Sequence, residues 1–304
     1  MNPRQQFAAT ASALVREDPS VALVYAEISG QFLGEVERDH PDRVVNVGIR
    51  EQLLVNVGAG MALAGLRPIV HTFSSFLVER AFEQVKLGFG HQGVGGVLVG
   101  VGGSFDVAAG GRTHQAPGDM ALLDTLPGIS LHAPSTSAEV DAALRAAIAS
   151  DGLDYLRVVA QTNEVSYPHR PGRFHVVRRV PGAPVVLAVG PALDAVLAAT
   201  ADRPATVLYA NTIRPFDPAG LRAVVDVPEV VLVEPWTAGT SAHAVAEALR
   251  EVPHRLLALG VDRRHELRRY GRPEEHVAAH GLDAAGLRAS IAGFLAAGSL
   301  RAIS

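Results

Sequence analysis

Val44-Val45-Asn46-Val47-Gly48-Ile49-Arg50-Glu51-Gln52 joins a strand, a turn and a helix in one short run. The valines at 44, 45 and 47 suit a buried strand, Gly48 permits a tight turn, and Glu51–Ala64 carries helical periodicity. A strand that passes through a glycine turn straight into a helix sets the Glu51 carboxylate at the C-terminal edge of a parallel sheet. Open α/β sheets place their ligands at that edge. Taken alone, Glu51 has two readings: an acid facing a ligand, or a carboxylate that sits at a helix N-terminus because the dipole favours negative charge there.

The same alternation extends outward on both sides. Val21–Tyr25, Arg43–Val47, Pro68–Val70, Val97–Val101, Ile129–His132 and Tyr155–Val159 are short apolar runs rich in β-branched residues, and Phe76–Leu87 and Ala138–Ala149 have helical patterns. Continuous apolar strands separated by helices predict a mainly parallel sheet covered on both faces. Gln161–Pro184 interrupts the pattern with Pro168, Pro171, Pro181 and Pro184 and a group of arginines, which reads as a linker with an edge strand at Phe174–Val177. Alternation then resumes with Val185–Val189, Thr206–Tyr209, Val230–Glu234 and Leu256–Leu259. The expected organisation is α/β in two domains, 1–165 and 185–304, joined by a linker at 166–184, each domain a mainly parallel sheet flanked by helices.

Composition removes several function classes. A formal charge of −4 gives no basic face for nucleic acid or a membrane surface. No apolar run reaches spanning length and the N-terminus opens no signal-peptide pattern, so a cytoplasmic location is expected. The chain has no cysteine, which excludes disulfides, thiolate catalysis and cysteine-ligated metals. Lys86 is the single lysine, leaving no phosphate-loop lysine in a Gly-x4-Gly-Lys motif. His276 and His280 share a helix face without a third ligand, and His265-Glu266 lacks the second histidine of a zinc-protease motif, so no metal site is expected from this chain. Gly93-Val94-Gly95-Gly96 and Gly102-Gly103 lack dinucleotide-loop spacing, and no Gly-x-Ser-x-Gly elbow occurs.

Two further stretches stand with the Glu51 run. Thr72-Phe73-Ser74-Ser75-Phe76-Leu77 followed by Phe82-Glu83-Gln84 offers aromatic faces, either for a flat ring or for the core at helical spacing. Ala109-Gly110-Gly111-Arg112-Thr113-His114-Gln115 is a glycine-rich polar loop bearing one histidine.

Together these three stretches resemble the pyrimidine-binding domain of transketolases and their relatives. Asn211-Thr212-Ile213-Arg214-Pro215-Phe216-Asp217 and Val231-Leu232-Val233-Glu234 resemble that family's C-terminal domain, so the likeness covers nearly the whole chain. The resemblance implies a thiamine diphosphate cofactor, with Glu51 bonded to N1′ of its aminopyrimidine and Phe76, Phe73, Phe82 and Glu27 around the ring. It implies that His114 faces the reacting carbon and that Arg157, Arg112 and His114 contact the substrate. Glu51 and His114 are then the catalytic pair.

Departures from the family pattern are as informative. The Gly-Asp-Gly motif through which full-length members hold Mg and the diphosphate is missing. The implied arrangement is therefore a split enzyme whose partner, an N-terminal-type transketolase subunit, carries the Mg ligands, as an α2β2 heterotetramer acting on a small ketose or aldose. Gly110 stands where the family has an acid, Gly102 where transketolases have a histidine, Gly103 where deoxyxylulose phosphate synthases have an arginine, Arg112 where the loop has proline, and Glu79 at an aromatic position. These changes point away from bulk pentose phosphates. The β subunit of a 2-oxoacid dehydrogenase first component, and a non-catalytic paralogue serving as a binding or scaffold subunit, are the alternatives.

Overall fold

A computed structural model of the chain describes residues 1–297. It is α/β, with two mainly parallel sheets flanked by helices. The first sheet contains β1 (Val21–Tyr25), β2 (Val44–Asn46), β3 (Arg67–Phe73), β4 (Gly96–Val101), β5 (Ser130–His132) and β6 (Leu153–Val158). Their order across the sheet is β5-β6-β4-β3-β1-β2, all parallel.

Side-chain alternation divides the buried residues of each strand between two helical layers. Val21, Leu23, Tyr25, Ile69, Val97 and Val99 face α1 (Pro3–Glu17), α2 (Gly30–Asp39) and the helix Ser137–Ile148. Val24, Val70, Leu98 and Tyr155 face α3 (Glu51–Leu63) and the turns that follow β3. α3 lies close to the sheet because Gly58 has no side chain: a Cβ there would collide with Val70 Cγ2. Leu54 and Val55 are fully buried, each worth about 1.5–3 kcal/mol relative to exposure, and they hold the first turn of α3 against the sheet.

The second sheet contains β7 (His175–Arg178), β8 (Val185–Val189), β9 (Thr206–Ala210), β11 (Glu229–Thr237) and β12 (Arg255–Val261), ordered β12-β11-β8-β9-β7, with β7 antiparallel at the edge. Two features differ from the sequence expectation. β10 (Thr212–Arg214), within the range expected for the second domain, pairs antiparallel with β5 and so extends the first sheet. The segment expected as one helix over Phe76–Leu87 is instead a π-helical turn Ser75–Arg80, a short α turn Phe82–Gln84 and a second π turn Val85–His91. Close packing accompanies the change, since a Cβ on Gly88 would stand 2.9 Å from Ala59 Cβ of α3. One apolar cluster runs from Val70 and Leu98 of the first sheet through Leu131 to Val185 and Leu187 of the second, so the two sheets share a core.

Candidate active site

β1 lies between β2 and β3, so successive connections leave it in opposite directions and open a crevice at the C-terminal strand edge. The segments after β1, β2, β3 and β4 converge there. Gly48 turns the chain from β2 to α3 with φ +70°; a Cβ would meet nothing within 4 Å, so the glycine is required by conformation and not by space. Its N–H donates to Asn46 Oδ1 at 3.0 Å. Glu51 opens α3 and is 2% exposed.

Four of the residues singled out in the sequence meet in one cluster. The Phe76 ring lies 5.2 Å from the His114 imidazole, and Phe73 lies 6.0 Å from Phe76 and 5.6 Å from His114, all edge to face. Glu51 joins them through Arg80, whose Nη1 donates to Glu51 Oε2 at 2.6 Å while its guanidinium carbon sits 4.1 Å over the Phe76 ring. Sequence reasoning missed Arg80. The signal was its position four residues after Phe76, which sets the two side chains above one another on a helical turn. His114 ends the 3₁₀ turn Arg112–His114, its Nδ1 3.0 Å from Thr113 Oγ1. Gly110 gives the imidazole room, since a Cβ there would stand 3.0 Å from the ring.

The other residues singled out in the sequence lie outside this cluster. Arg157, expected at the substrate, is turned into the protein interior in this chain. It is 2% exposed, its Nε donates to Asp119 Oδ2 at 2.8 Å, and it also donates to Ser104. Gly103 makes this possible, because a Cβ there would collide with the Arg157 guanidinium carbon. Asp119 is itself fully buried and takes further bonds from Tyr155 Oη and the Met120 N–H. Phe82 packs against the core beneath α3 and makes no ring contact with Phe73 or Phe76 among the described residues. Glu27 is exposed at the end of β1 in a left-handed backbone, φ 59°, held by Asn46 rather than by the Glu51 cluster. Arg112 donates to Glu266 Oε1 at 2.6 Å and, with Gln115, Arg263 and His265, lines a cleft of about 370 Å³. Tyr270 lies over Gly111, where a Cβ would stand 2.7 Å from its ring. Among the described residues no group of three or more His, Asp or Glu side chains is placed to hold a metal ion, and no helix is long and apolar enough to cross a membrane.

The residues fit the ring half of the implied cofactor. An aminopyrimidine needs a carboxylate at one edge and a flat apolar face beneath it. Glu51 and Phe76 offer both, at a separation shown to accept a planar group by the guanidinium that lies there.

An α/β fold with a carboxylate, aromatic faces and a histidine at the switch point defines the class, and comparison defines the family. Residues 1–165 match the family described as transketolase, pyrimidine binding domain. The chain belongs to that family. It is 46% identical over 293 residues to the "uncharacterized 33.6 kDa protein in fasciation locus" of Rhodococcoides fascians, covering 95% of this chain and 93% of that protein. It is 34% identical to a 1-deoxy-D-xylulose-5-phosphate synthase of Anaeromyxobacter dehalogenans over 89% of this chain, and spans only 44% of that longer protein. A 6-deoxy-6-sulfo-D-fructose transketolase subunit of a Clostridium species is 28% identical, over 78% of this chain and 76% of its own length. Among solved structures, "split gene transketolase, inactive beta4 tetramer" superposes with a TM-score of 0.85 at 24% identity, covering 97% of this chain and 99% of that one.

Proposed function

We propose that this chain is the pyrimidine-binding subunit of a split, thiamine diphosphate-dependent transketolase-type enzyme that transfers a two-carbon ketol or related acyl unit. The observation that carries the reading is the meeting of Glu51, Phe76, Phe73 and His114 at the switch-point crevice. Thiamine diphosphate, when bound, supplies the carbon nucleophile that carries the transferred unit. Glu51 shares a proton with N1′ of the aminopyrimidine, a role that needs a carboxylate shielded from water, as Glu51 is. Phe76 carries the ring face, and His114 donates a hydrogen bond to the substrate oxygen beside the reacting carbon.

A partner subunit holds the diphosphate and Mg. The relative described as a transketolase subunit supports this. So do the apolar side chains left exposed on and next to α3: Ile49, Leu53, Leu63 and Leu87 are between 44% and 71% exposed. Mixed with an N-terminal-type subunit and Mg, the chain is expected to speed hydrogen–deuterium exchange at cofactor C2, followed by NMR; alone it leaves the exchange at the free-cofactor rate. Glu51→Gln slows exchange in the mixture by orders of magnitude while assembly persists. Exchange at the full rate in that variant removes Glu51 from the mechanism.

The substrate differs from the common pentose phosphates. Arg157 is paired with Asp119, and Gly102 and Gly103 bring no side-chain donors, so the charge-assisted partners that the family pattern gives a phosphate dianion at these three positions are missing. The relative that acts on a sulfosugar supports an altered anion site. Xylulose 5-phosphate and ribose 5-phosphate should therefore turn over poorly in the assembled enzyme.

A further inference from the structure

Arg80 makes, to Glu51 and Phe76, the two kinds of contact that the proposed function gives to the aminopyrimidine: a hydrogen bond to the carboxylate and a stack on the ring face. Its Nη1 donates to Glu51 Oε2 at 2.6 Å, and its flat guanidinium lies 4.1 Å over the Phe76 ring. The partners differ in freedom. The Glu51 side chain is 2% exposed and fixed in the first turn of α3, whereas the Arg80 side chain is 40% exposed at the end of a π turn, with its open side toward solvent. π turns concentrate at functional positions, and Gln52 steadies this one through the Arg80 carbonyl at 3.5 Å.

We propose that Arg80 is a built-in stand-in for the cofactor ring. It caps Glu51 and Phe76 in the unloaded chain, and the aminopyrimidine enters by displacing it toward solvent. The proposal rests on the assignment of Glu51 and Phe76 to the ring. A carboxylate this buried is costly without a cationic or hydrogen-bonding partner, and Arg80 is the partner that keeps the site formed until loading. The same contact then competes with the ring. Lysine would serve less well, because an ammonium cannot stack flat on a phenyl face while donating sideways to a carboxylate.

The test uses 4-amino-5-hydroxymethyl-2-methylpyrimidine, the ring of the cofactor without its thiazolium or diphosphate, titrated into the full chain by calorimetry. This probe needs neither Mg nor the groups that bind diphosphate. Arg80→Ala is expected to bind it roughly tenfold more tightly than the natural chain, the scale of one stacked cation contact. Arg80→Lys should fall between the two. No gain in the alanine variant, whether binding is equal, weaker or undetectable, overturns the proposal; weaker binding would make Arg80 a direct ligand of the ring. Glu51→Ala should abolish binding in either background, and if it does not, the assignment of the site itself falls, separately from the role of Arg80. Arg80→Gln, which keeps a donor toward Glu51, carries the same comparison if the alanine variant does not fold.

Discussion

Arg157 and Gly103 are one feature seen from two positions. The missing side chain at 103 leaves the space in which the guanidinium turns inward, and Asp119 neutralises it there. Breaking a buried pair by removing one member leaves the other charge alone, at a cost of about 3–5 kcal/mol. Arg157→Ala is therefore expected to lower the denaturation midpoint sharply, and Asp119→Ala in the same chain to recover part of the loss. A midpoint that stays put while KM for a phosphorylated substrate rises would return Arg157 to the substrate. Glycine at 110 and 111 acts on the opposite side of the loop, where the His114 ring and Tyr270 take the space.

At the scale of elements, the placement of Glu51 depends on how closely α3 approaches β3. Gly58 sets that distance. Gly58→Ala adds one methyl group against Val70 and should destabilise the chain by roughly 1–3 kcal/mol, despite alanine's better helix propensity. Chemical denaturation measures the loss; a more stable variant would show that propensity outweighs the contact. The π turn after β3 belongs to the same scale, because its register stands Arg80 over Phe76 and brings both beside α3.

At the scale of the molecule, the two sheets are held by more than a linker. β10 extends the first sheet, the Thr237 N–H and hydroxyl both donate to Pro117 O, and Ser104 donates to Pro235 O, so the end of β11 is stitched to the loop region of the first sheet. Glu234 is fully buried in this seam. Burial pushes its carboxyl up from an ordinary 4.5 to about 7, against hydrogen bonds from Ser241 and Trp236 that pull it down. The folded chain therefore holds this proton more tightly than the unfolded chain does. The associated stability is fully present below pH 4.5, is lost as pH rises through about 7, and does not change above that. It amounts to roughly 3 kcal/mol. The pH slope of the denaturation midpoint in this window should flatten in Glu234→Gln; an unchanged slope assigns the titration elsewhere.

Much of the fold is legible in the residues themselves. Strands covered on both faces must be apolar throughout, so Val21–Tyr25 and Val185–Val189 can be bounded from the sequence alone, and they are found at those limits. A glycine between a strand and a helix carries its own geometry, which is why the residues around Gly48 suffice to set Glu51 at the sheet edge. These are properties of neighbours along the chain. Three things were decided by tertiary structure. β10 is three residues long, too short to show a period, and only the free edge of β5 determines which sheet it joins. Arg157 has the sequence surroundings of a ligand-binding arginine, but its partner Asp119 lies 38 residues away and arrives by folding. Arg80 and Glu51 are 29 residues apart on separate elements, and their contact exists because α3 and the π turn pack side by side. Local propensity and periodicity act over a few residues, whereas the partner of a charged side chain is fixed by which elements the core brings together.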